Sequence, residues 1–399
     1  MKLKDICSKI GSGATPRGGK EAYKESGVPI IRSQNVLDWS FNTDGLAYID
    51  DNQASALANV EVKPGDVLLN ITGDSVARAC IVPNVITPAR VNQHVLILRA
   101  NYKTNPVFLL TWLQSNKSLL LALASSGATR NALTKTMLEE LDINLPPVDV
   151  QFRIAEIVSS IQAKIEANTR LNGYLEELLL AKYDELFPKS SPYNGTLAEA
   201  GEIIGGATPS KKRPEYYCHS GLGWITPRDL SNTSDKFVSH GSDDITKAGY
   251  DSCSTTLMPK GSILFSSRAP IGYVAIASDE VATNQGFKSV VPNKAIGTAF
   301  VYCFLVRNKQ RIADMGAGTT FPEVSRKMMQ SVELHIPSLE ACKGFSEFAE
   351  PLLSQQYALE KESHSLASLR DTLLPRLMSG EIDVSEISLT QLNSHLGDC

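Results

Sequence analysis

The side chains best placed for chemistry are polar residues that directly follow short apolar runs. Val28-Pro29-Ile30-Ile31 leads into Arg32-Ser33-Gln34-Asn35, and Val67-Leu68-Leu69 leads into Asn70-Ile71-Thr72-Gly73. Arg78 and Arg90 flank the next apolar stretch, which leads to Asn92-Gln93-His94. Donors and acceptors gathered at a strand end suit the reading of base edges: arginine pairs bidentately with guanine, asparagine or glutamine with adenine. Two glycine loops accompany them, Gly13-Ala14-Thr15-Pro16-Arg17-Gly18-Gly19-Lys20 and Ser126-Gly127-Ala128-Thr129-Arg130-Asn131. The first lacks the G-K-[ST] ending of a phosphate loop and reads equally well as a surface turn.

Signatures of catalysis are missing from the sequence. No G-x-G-x-x-G follows a strand-like run, and no asparagine or aspartate precedes Pro-Pro and an aromatic, as an amino-methylating enzyme would need. H-E-x-x-H and G-x-S-x-G are absent as well. The six histidines are isolated, and the seven cysteines form no C-x-x-C pair. Reduced thiols without a metal site or disulfide framework are the expectation. The residues describe a recognition scaffold, not an enzyme.

The elements that must position these side chains occur twice. Gly206-Ala207-Thr208-Pro209 repeats Gly13-Ala14-Thr15-Pro16, now followed by Ser210-Lys211-Lys212-Arg213. Trp224-Ile225 precede Thr226-Pro227-Arg228-Asp229 as Ile30-Ile31 precede Arg32. The turn Lys63-Pro64-Gly65-Asp66 returns as Pro259-Lys260-Gly261-Ser262, whose strand ends in Ser266-Ser267-Arg268. Asn284-Gln285-Gly286 matches Asn92-Gln93-His94, and Gly318-Thr319-Thr320 matches Gly127-Ala128-Thr129. A strand is expected over 141–145, and Ile143-Asn144-Leu145-Pro146 matches Leu334-His335-Ile336-Pro337. Two short helices are expected around 107–115 and 117–124. Markers in the same order make a tandem duplication, with a unit far longer than a solenoid repeat.

Each copy closes on a long amphipathic stretch. Ile154, Ile157, Ile161, Ile165, Leu171, Leu175, Leu178 and Leu186 recur in the first; Phe345, Phe348, Leu352, Leu359, Leu366, Leu369 and Leu373 recur in the second. This spacing predicts two helices laid against one another. Pro351 marks a kink in the second helix or its start. An apolar fraction of 42% and a charged fraction of 21% are those of an ordinary globular chain. The net charge of −4 is unevenly spread. Residues 1–150 hold 15 basic against 14 acidic side chains and 191–338 hold 15 against 13, while 339–399 hold 4 against 10. This balance argues only weakly for DNA, so local Arg and Lys placement must carry that case. With no secretory or membrane-spanning run, the expected location is cytoplasmic, without membrane association.

The pattern resembles the specificity subunit of type I restriction–modification systems, over nearly the whole chain. Its most telling residues run from Leu366 to Ile382, LASLRDTLLPRLMSGEI, similar to the family's L-x-x-L-R-x-x-L-L-P-x-L-x-S-G-E/K-I ending. Asn172-Gly173-Tyr174-Leu175-Glu176-Glu177-Leu178 resembles the close of its central helix, and the paired G-x-T-P and N-Q-H/N-Q-G segments fit its two target recognition domains. Ala341-Cys342-Lys343-Gly344-Phe345 departs from the usual Glu-Gln-Arg-like segment, which Gln151-Phe152-Arg153 keeps in the first copy.

The resemblance implies an α/β (α+β) fold. Recognition domains would span 1–149 and 188–338, long helices 150–187 and 339–380 would pair as an antiparallel coiled coil, and 381–399 would form a tail. It implies that double-stranded DNA is read as an asymmetric bipartite target, one half per domain, across an unread spacer. It also implies docking of two methylation subunits, joined by restriction subunits. S-adenosylmethionine, ATP and Mg would sit on those partners, leaving this chain without a cofactor. Residue chemistry agrees, and the expected base readers are Arg32, Gln34, Asn35 and His94, then Arg228, Asp229, Arg268 and Gln285. Arg17, Lys20, Lys211, Lys212 and Arg213 suit phosphates. The remaining DNA-facing candidates are Thr15, Ser33, Thr72, Arg78, Asn92, Gln93, Arg130, Thr208, Thr226, Ser267, Asn284, Thr319 and Thr320. Asn92 and Asn284 could equally be hydrogen-bonded structural residues. Ile161, Ile165, Leu175, Leu178, Leu359, Leu366 and Leu369 are expected to pack the helix pair. A competing reading, an interaction scaffold that binds protein and not DNA, draws on the near-neutral charge of both blocks.

Overall fold

The computed structural model describes residues 1–16, 18–125, 131–268, 270–316 and 322–387. Val67–Asn70 is buried at every position. Aliphatic residues covered on both faces make a central strand, and this one lies inside an antiparallel sheet. The sheet order is Cys7–Ser12, Val95–Ala100, Val67–Asn70, Ala79–Ile81. A second sheet is ordered Ala47–Ile49, Val28–Ile31, Ala89–Val91, Glu61–Val62, with Val28–Ile31 parallel to Ala89–Val91. The second copy repeats this plan. Gly201–Gly205, Lys288–Pro292, Ile263–Ser267, Ile271–Ala277 and Phe237–Val238 form one sheet, and Gly223–Ile225 runs parallel to Val281–Thr283. Mixed sheets and helices duplicated in one chain give the α/β class.

The two copies turn corners with the same backbone and different chemistry. At Lys63-Pro64-Gly65-Asp66, Gly65 has φ 83°, and at Pro259-Lys260-Gly261-Ser262, Gly261 has φ 86°. A positive φ at the third turn position favours glycine. Asp66 is fully buried and takes both Arg99 Nε (2.7 Å) and Nη2 (2.8 Å). Ser262 fills the equivalent place and donates its hydroxyl to the Pro259 carbonyl at 2.6 Å. The short helices also differ. Pro106–Ser115 and Lys117–Ser125 stand where the second copy has one helix, Thr298–Asp314. Asn105 caps the first by accepting from the Val107 and Phe108 amides. The stretch 141–145 is not a strand: it makes a single bridge, Asp142 to Lys2.

The chain divides into two compact units, Met1–Glu166 with the segment from His364 onward, and Ala167–Ser363. The long helices Val148–Leu186 and Leu339–Ser379 therefore each contribute to both. The second helix begins at Leu339 and runs through Pro351, which is not its start. In the first unit, Ile154, Ile157, Val158 and Ile161 share a core with Leu366, Leu374 and Leu377, and Ile165 packs at its margin. In the second, Leu179, Leu180, Tyr183 and Phe187 pack with Cys342, Phe345 and Ala349. Tyr183, Phe187, Phe300 and Phe345 interlock there at centroid distances of 5.1–5.9 Å. No single described helix is long and apolar enough to cross a membrane.

Three expected helix-pair contacts need correcting. Leu178 is 49% exposed, Leu369 is 47% exposed, and Leu175 is only half-buried; Leu359 (6%) and Leu366 (9%) are inside. The buried face continues from Ile161 and Ile165 in steps of three or four, but through Asn168 and Asn172 to Leu179 and Tyr183. Following apolar residues instead makes a six-residue jump to Leu171, roughly 240° around the helix at 3.6 residues per turn. Leu179→Asp should therefore lower unfolding stability by about 3–5 kcal/mol through an unpaired buried charge. Leu178→Asp should change it by about 1 kcal/mol or less. Chemical denaturation of the two variants beside the parent checks the assignment.

Candidate nucleic-acid interface

In each unit the G-x-T-P loop, the segment after the apolar strand and the Asn-Gln turn meet at one end of the sheets. The loop after the first strand crosses the Asn-Gln turn so closely that only glycine fits. A Cβ at Gly13 would lie 2.1 Å from the Asn92 carbonyl oxygen, and one at Gly206 would lie 2.2 Å from that of Asn284. Backbone bonds fasten the crossing: Ala14 N–H donates to Val91 O and Ala207 N–H to Thr283 O, both at 3.0 Å. The following threonine then donates its hydroxyl to the glutamine, Thr15 to Gln93 Oε1 and Thr208 to Gln285 Oε1. Inside the turn, Asn92 Oδ1 accepts from His94 N–H at 3.0 Å, and Asn284 Oδ1 from Gly286 N–H at 2.8 Å.

The strand-end segments join this turn. Asn92 N–H donates to Ile31 O and Asn284 N–H to Ile225 O, each at 3.0 Å. Asn70 Nδ2 reaches Ser33 O at 2.9 Å. Ile71 N–H bonds His94 O, and Ser267 N–H bonds Gly286 O, so Thr72 and Arg268 occupy matching positions. Thr72 Oγ1 is hydrogen-bonded to His94 Nδ1 at 2.7 Å. In the second copy glycine replaces the histidine, and Arg268 instead faces Glu323 at 3.8 Å. Lys288 also contacts Glu323, at 3.3 Å. Neither Lys288 nor Glu323 was a sequence candidate, since single charged residues carry no spacing signal.

Several candidates turn out to be structural. Asn35 is fully buried; its Oδ1 accepts from Arg32 N–H (3.0 Å) and its Nδ2 donates to Asn42 O (2.9 Å). Asp229 is its counterpart. One carboxylate oxygen takes the Thr226 amide and hydroxyl, the other the Ser242 amide and hydroxyl. Both side chains cap the turn after the strand and have no edge left for a base, and Thr226 is spent on the same cap. Asn92 is 6% exposed and committed to its turn, as is Asn284, while Ser267 is fully buried and donates to Gly286 O.

Other side chains remain available. Gln34, Gln93, Arg228, Gln285, Lys211, Lys212 and Arg213 are exposed, and Arg32, Ser33, Thr72, Arg78 and His94 are half-buried. Arg32 donates to Gly45 O at 2.5 Å and lies over the Tyr23 ring, with its Nε unpartnered. Gln34 donates to the same carbonyl at 3.2 Å. Arg213 pairs with Glu215 at 2.9 Å. Arg228 has no side-chain partner among the described residues. Arg17, Arg130, Thr319, Thr320 and the Lys20 side chain lie outside the described residues. Among the described residues no His/Cys/Asp/Glu group could hold a metal ion.

An end-of-sheet rim of arginine, glutamine and threonine built twice invites comparison with known DNA-reading proteins. The family profile described as Type I restriction modification DNA specificity domain matches residues 1–177 and 194–366. The chain belongs to that family. Each match to the specificity domain takes in one set of markers and most of one long helix. Among relatives, the putative type I restriction enzyme MjaX specificity subunit of Methanocaldococcus jannaschii is 24% identical, over 96% of this chain and 93% of that protein. The HindI specificity subunit of Haemophilus influenzae is 22% identical, over 89% and 94%. The MjaIX specificity subunit of M. jannaschii is 40% identical over 147 residues, 36% of this chain; the chain spans about a third of that relative, 34%. The S subunit of a type I restriction-modification system from M. genitalium shares the fold, with TM-score 0.55 and 16% identity over 94% of this chain and 95% of that one.

The two caps make a test. Burial raises the Asp229 carboxyl, and the hydrogen bonds from Ser242 and Thr226 outweigh it, so its pKa lies below the ordinary value. A depressed carboxylate contributes stability that is complete above the unfolded pKa and lost as pH falls through the folded one. Asp229→Asn replaces one acceptor oxygen by a donor facing donors and should cost about 1–3 kcal/mol near neutral pH. The gap from the parent should shrink as pH falls below the carboxylate range. Denaturant unfolding of both proteins at neutral and acid pH measures it.

Proposed function

We propose that this chain is the sequence-reading subunit of a type I restriction–modification complex, each copy recognising one half of an asymmetric bipartite duplex. The observation that carries this reading is the repeated rim with unlike outward chemistry. The Thr–Gln clasps are the same in both copies, and a buried cap, Asn35 in one and Asp229 in the other, holds each strand end. The other accessible groups differ: Arg32, Gln34, Thr72 and His94 in one copy, Arg228 and Arg268 in the other. One scaffold presenting two donor patterns suits two different base sequences. Lys211, Lys212, Arg78 and, beyond the described residues, Arg17 suit phosphate contacts that position without reading.

In this reading the recognition domains are 1–149 and 188–338, and the helices 150–187 and 339–380 set the spacer and dock two methylation subunits, with 381–399 as a tail. Restriction subunits join that core. Catalysis, with S-adenosylmethionine, ATP and Mg, belongs to the partners, and the assembly works where the cell's DNA is. Leu171, Tyr174 and Leu178 form an exposed apolar face at helical spacing, which supports docking there. A scaffold that binds only protein is separated by a gel shift with and without methylation subunits: sequence preference in the complex excludes it.

Arg228→Ala should lose about 1–3 kcal/mol of base discrimination in one half-site and leave the other unchanged. Competition binding with targets varied one half at a time is the measurement; equal weakening on all sequences would make Arg228 a phosphate contact. The spacer gives a second test. Four residues added to both helices, after Glu166 and after Ser363, lengthen each by about 6 Å, against roughly 3.4 Å per base pair. The unread spacer should grow by about one or two base pairs, with both half-site sequences retained. Methylation-site sequencing beside the parent reads this out; an unchanged spacer in an active variant contradicts the helix ruler.

A further inference from the structure

The duplication places opposite charges at one position of the two long helices. Leu175-Glu176-Glu177-Leu178-Leu179-Leu180 on the first aligns with Leu369-Arg370-Asp371-Thr372-Leu373-Leu374 on the second, and the same offset carries Gln162 onto Gln356. Both pairs meet inside their own unit. In the first, Arg370 Nη1 donates to Gln162 Oε1 at 2.8 Å, and its guanidinium lies 4.7 Å over the Trp39 ring. In the second, Lys236 donates to Glu176 Oε2 and, at 2.6 Å, to Gln356 Oε1. Tyr302 OH donates to Glu176 Oε1 at 2.9 Å, and the Lys236 ammonium lies 4.9 Å from the Tyr302 ring centre.

Trp39 and Lys236 lie against the same strand of the two copies, two residues apart in register. Trp39 N–H donates to Ala79 O, and Lys236 O accepts from Ile276 N–H, so both lie along the second strand of the central hairpin. Both also sit just downstream of the segment that ends in the reading rim, Arg32–Asn35 or Thr226–Asp229. Glu360 of the second helix adds a clamp, accepting from the Lys236 amide (2.9 Å) and the Phe237 amide (3.1 Å). These groups are withdrawn from water: Arg370 is 8% exposed, Lys236 9%, Gln356 1% and Glu360 9%. The desolvated Lys236–Glu176 pair holds one geometry, because breaking it leaves an uncompensated charge; Arg370 keeps Asp371 as its ion-pair partner at 2.9 Å and meets its block through the Trp39 ring face.

We propose that Lys236 and Arg370 are positioning residues: each latches one recognition block to the helix pair and fixes the angle at which its rim meets DNA. The sign inversion, Glu176 against Arg370, keeps each block matched to its own helix segment. A lysine met by Arg370, or a tryptophan met by Glu176, would leave a buried charge unpaired. Both latch residues are buried against protein, so their effect is on geometry and not on base chemistry.

The proposal rests on the bipartite-reading function, and its test separates the two. The full chain, assembled with its methylation subunits, is measured on duplexes carrying the native spacer or one changed by a single base pair. Lys236→Met should reduce the discrimination between native and altered spacers by about tenfold, while base discrimination in the half-site read by the first unit stays at the parental level. Glu176→Gln keeps size and an acceptor for Tyr302, and should relax the spacer in the same direction even if Lys236→Met fails to fold. The double variant should do no more than the stronger single one, because both act through one bridge. Arg370→Met should relax the spacer while sparing the other half-site. Parental spacer strictness in folded Lys236→Met and Glu176→Gln complexes overturns the latch. A parental complex with no bipartite preference overturns the functional reading itself, and the latch with it.

Discussion

Packing of the two long helices is the constraint on which everything else depends. The first unit is not closed by its own continuous segment: Leu366, Leu374 and Leu377 complete the core around Ile154, Ile157 and Ile161. Arg370 and Gln162, which bond across that packing, are 208 residues apart in the chain. Burial of aliphatic side chains at about 1.5–3 kcal/mol each drives the closure, and ordering so distant a segment opposes it. In the second unit the helix contact begins with buried polar groups, Asn168, Gln356 and Glu360, before Leu179 and the aromatic cluster take over. Burial raises the pKa of Glu360 and lowers that of Lys236. Directed polar contacts of this kind fix a helix register that apolar packing leaves free to slide.

On that frame the rim is assembled from backbone geometry, and its chemistry is left to vary. Glycine at Gly13 and Gly206 is demanded by carbonyl oxygens about 2 Å from any Cβ, so the loop crossing repeats in both copies. The threonine–glutamine clasp and the Asn35 and Asp229 caps hold the strand ends from inside. What differs is the polar chemistry of the rim. His94 bonded to Thr72 in one copy gives way to Arg268 and Lys288 around Glu323 in the other. Conformational demands and the variable polar chemistry are thus carried by separate side chains of the same short segments.

Much of this was legible in the sequence where pattern and physics coincide. Repeated markers disclosed the duplication, and Ile154, Ile157 and Ile161 disclosed the start of the helix contact because that stretch of its buried face is apolar. Leu178 misled because the buried face turns polar at Asn168, and periodicity of apolar residues does not follow a polar interface. Asn35 and Asp229 misled for another reason: a short polar side chain after a strand is what a cap and a base reader both require. Only their partners, Asn42 and Ser242, distinguish the two. Lys236 with Glu176 and Arg370 with Trp39 were invisible, since pairs brought together by tertiary packing leave no local spacing.

Two copies of one domain should read two separate stretches of duplex. Selection from a fully randomised duplex library, using the chain assembled with its methylation subunits, tests it most directly. Enriched molecules should carry two short, dissimilar sequence blocks separated by a gap of fixed length and unrestricted sequence. Enrichment of one continuous block, or of no sequence at all, would contradict it.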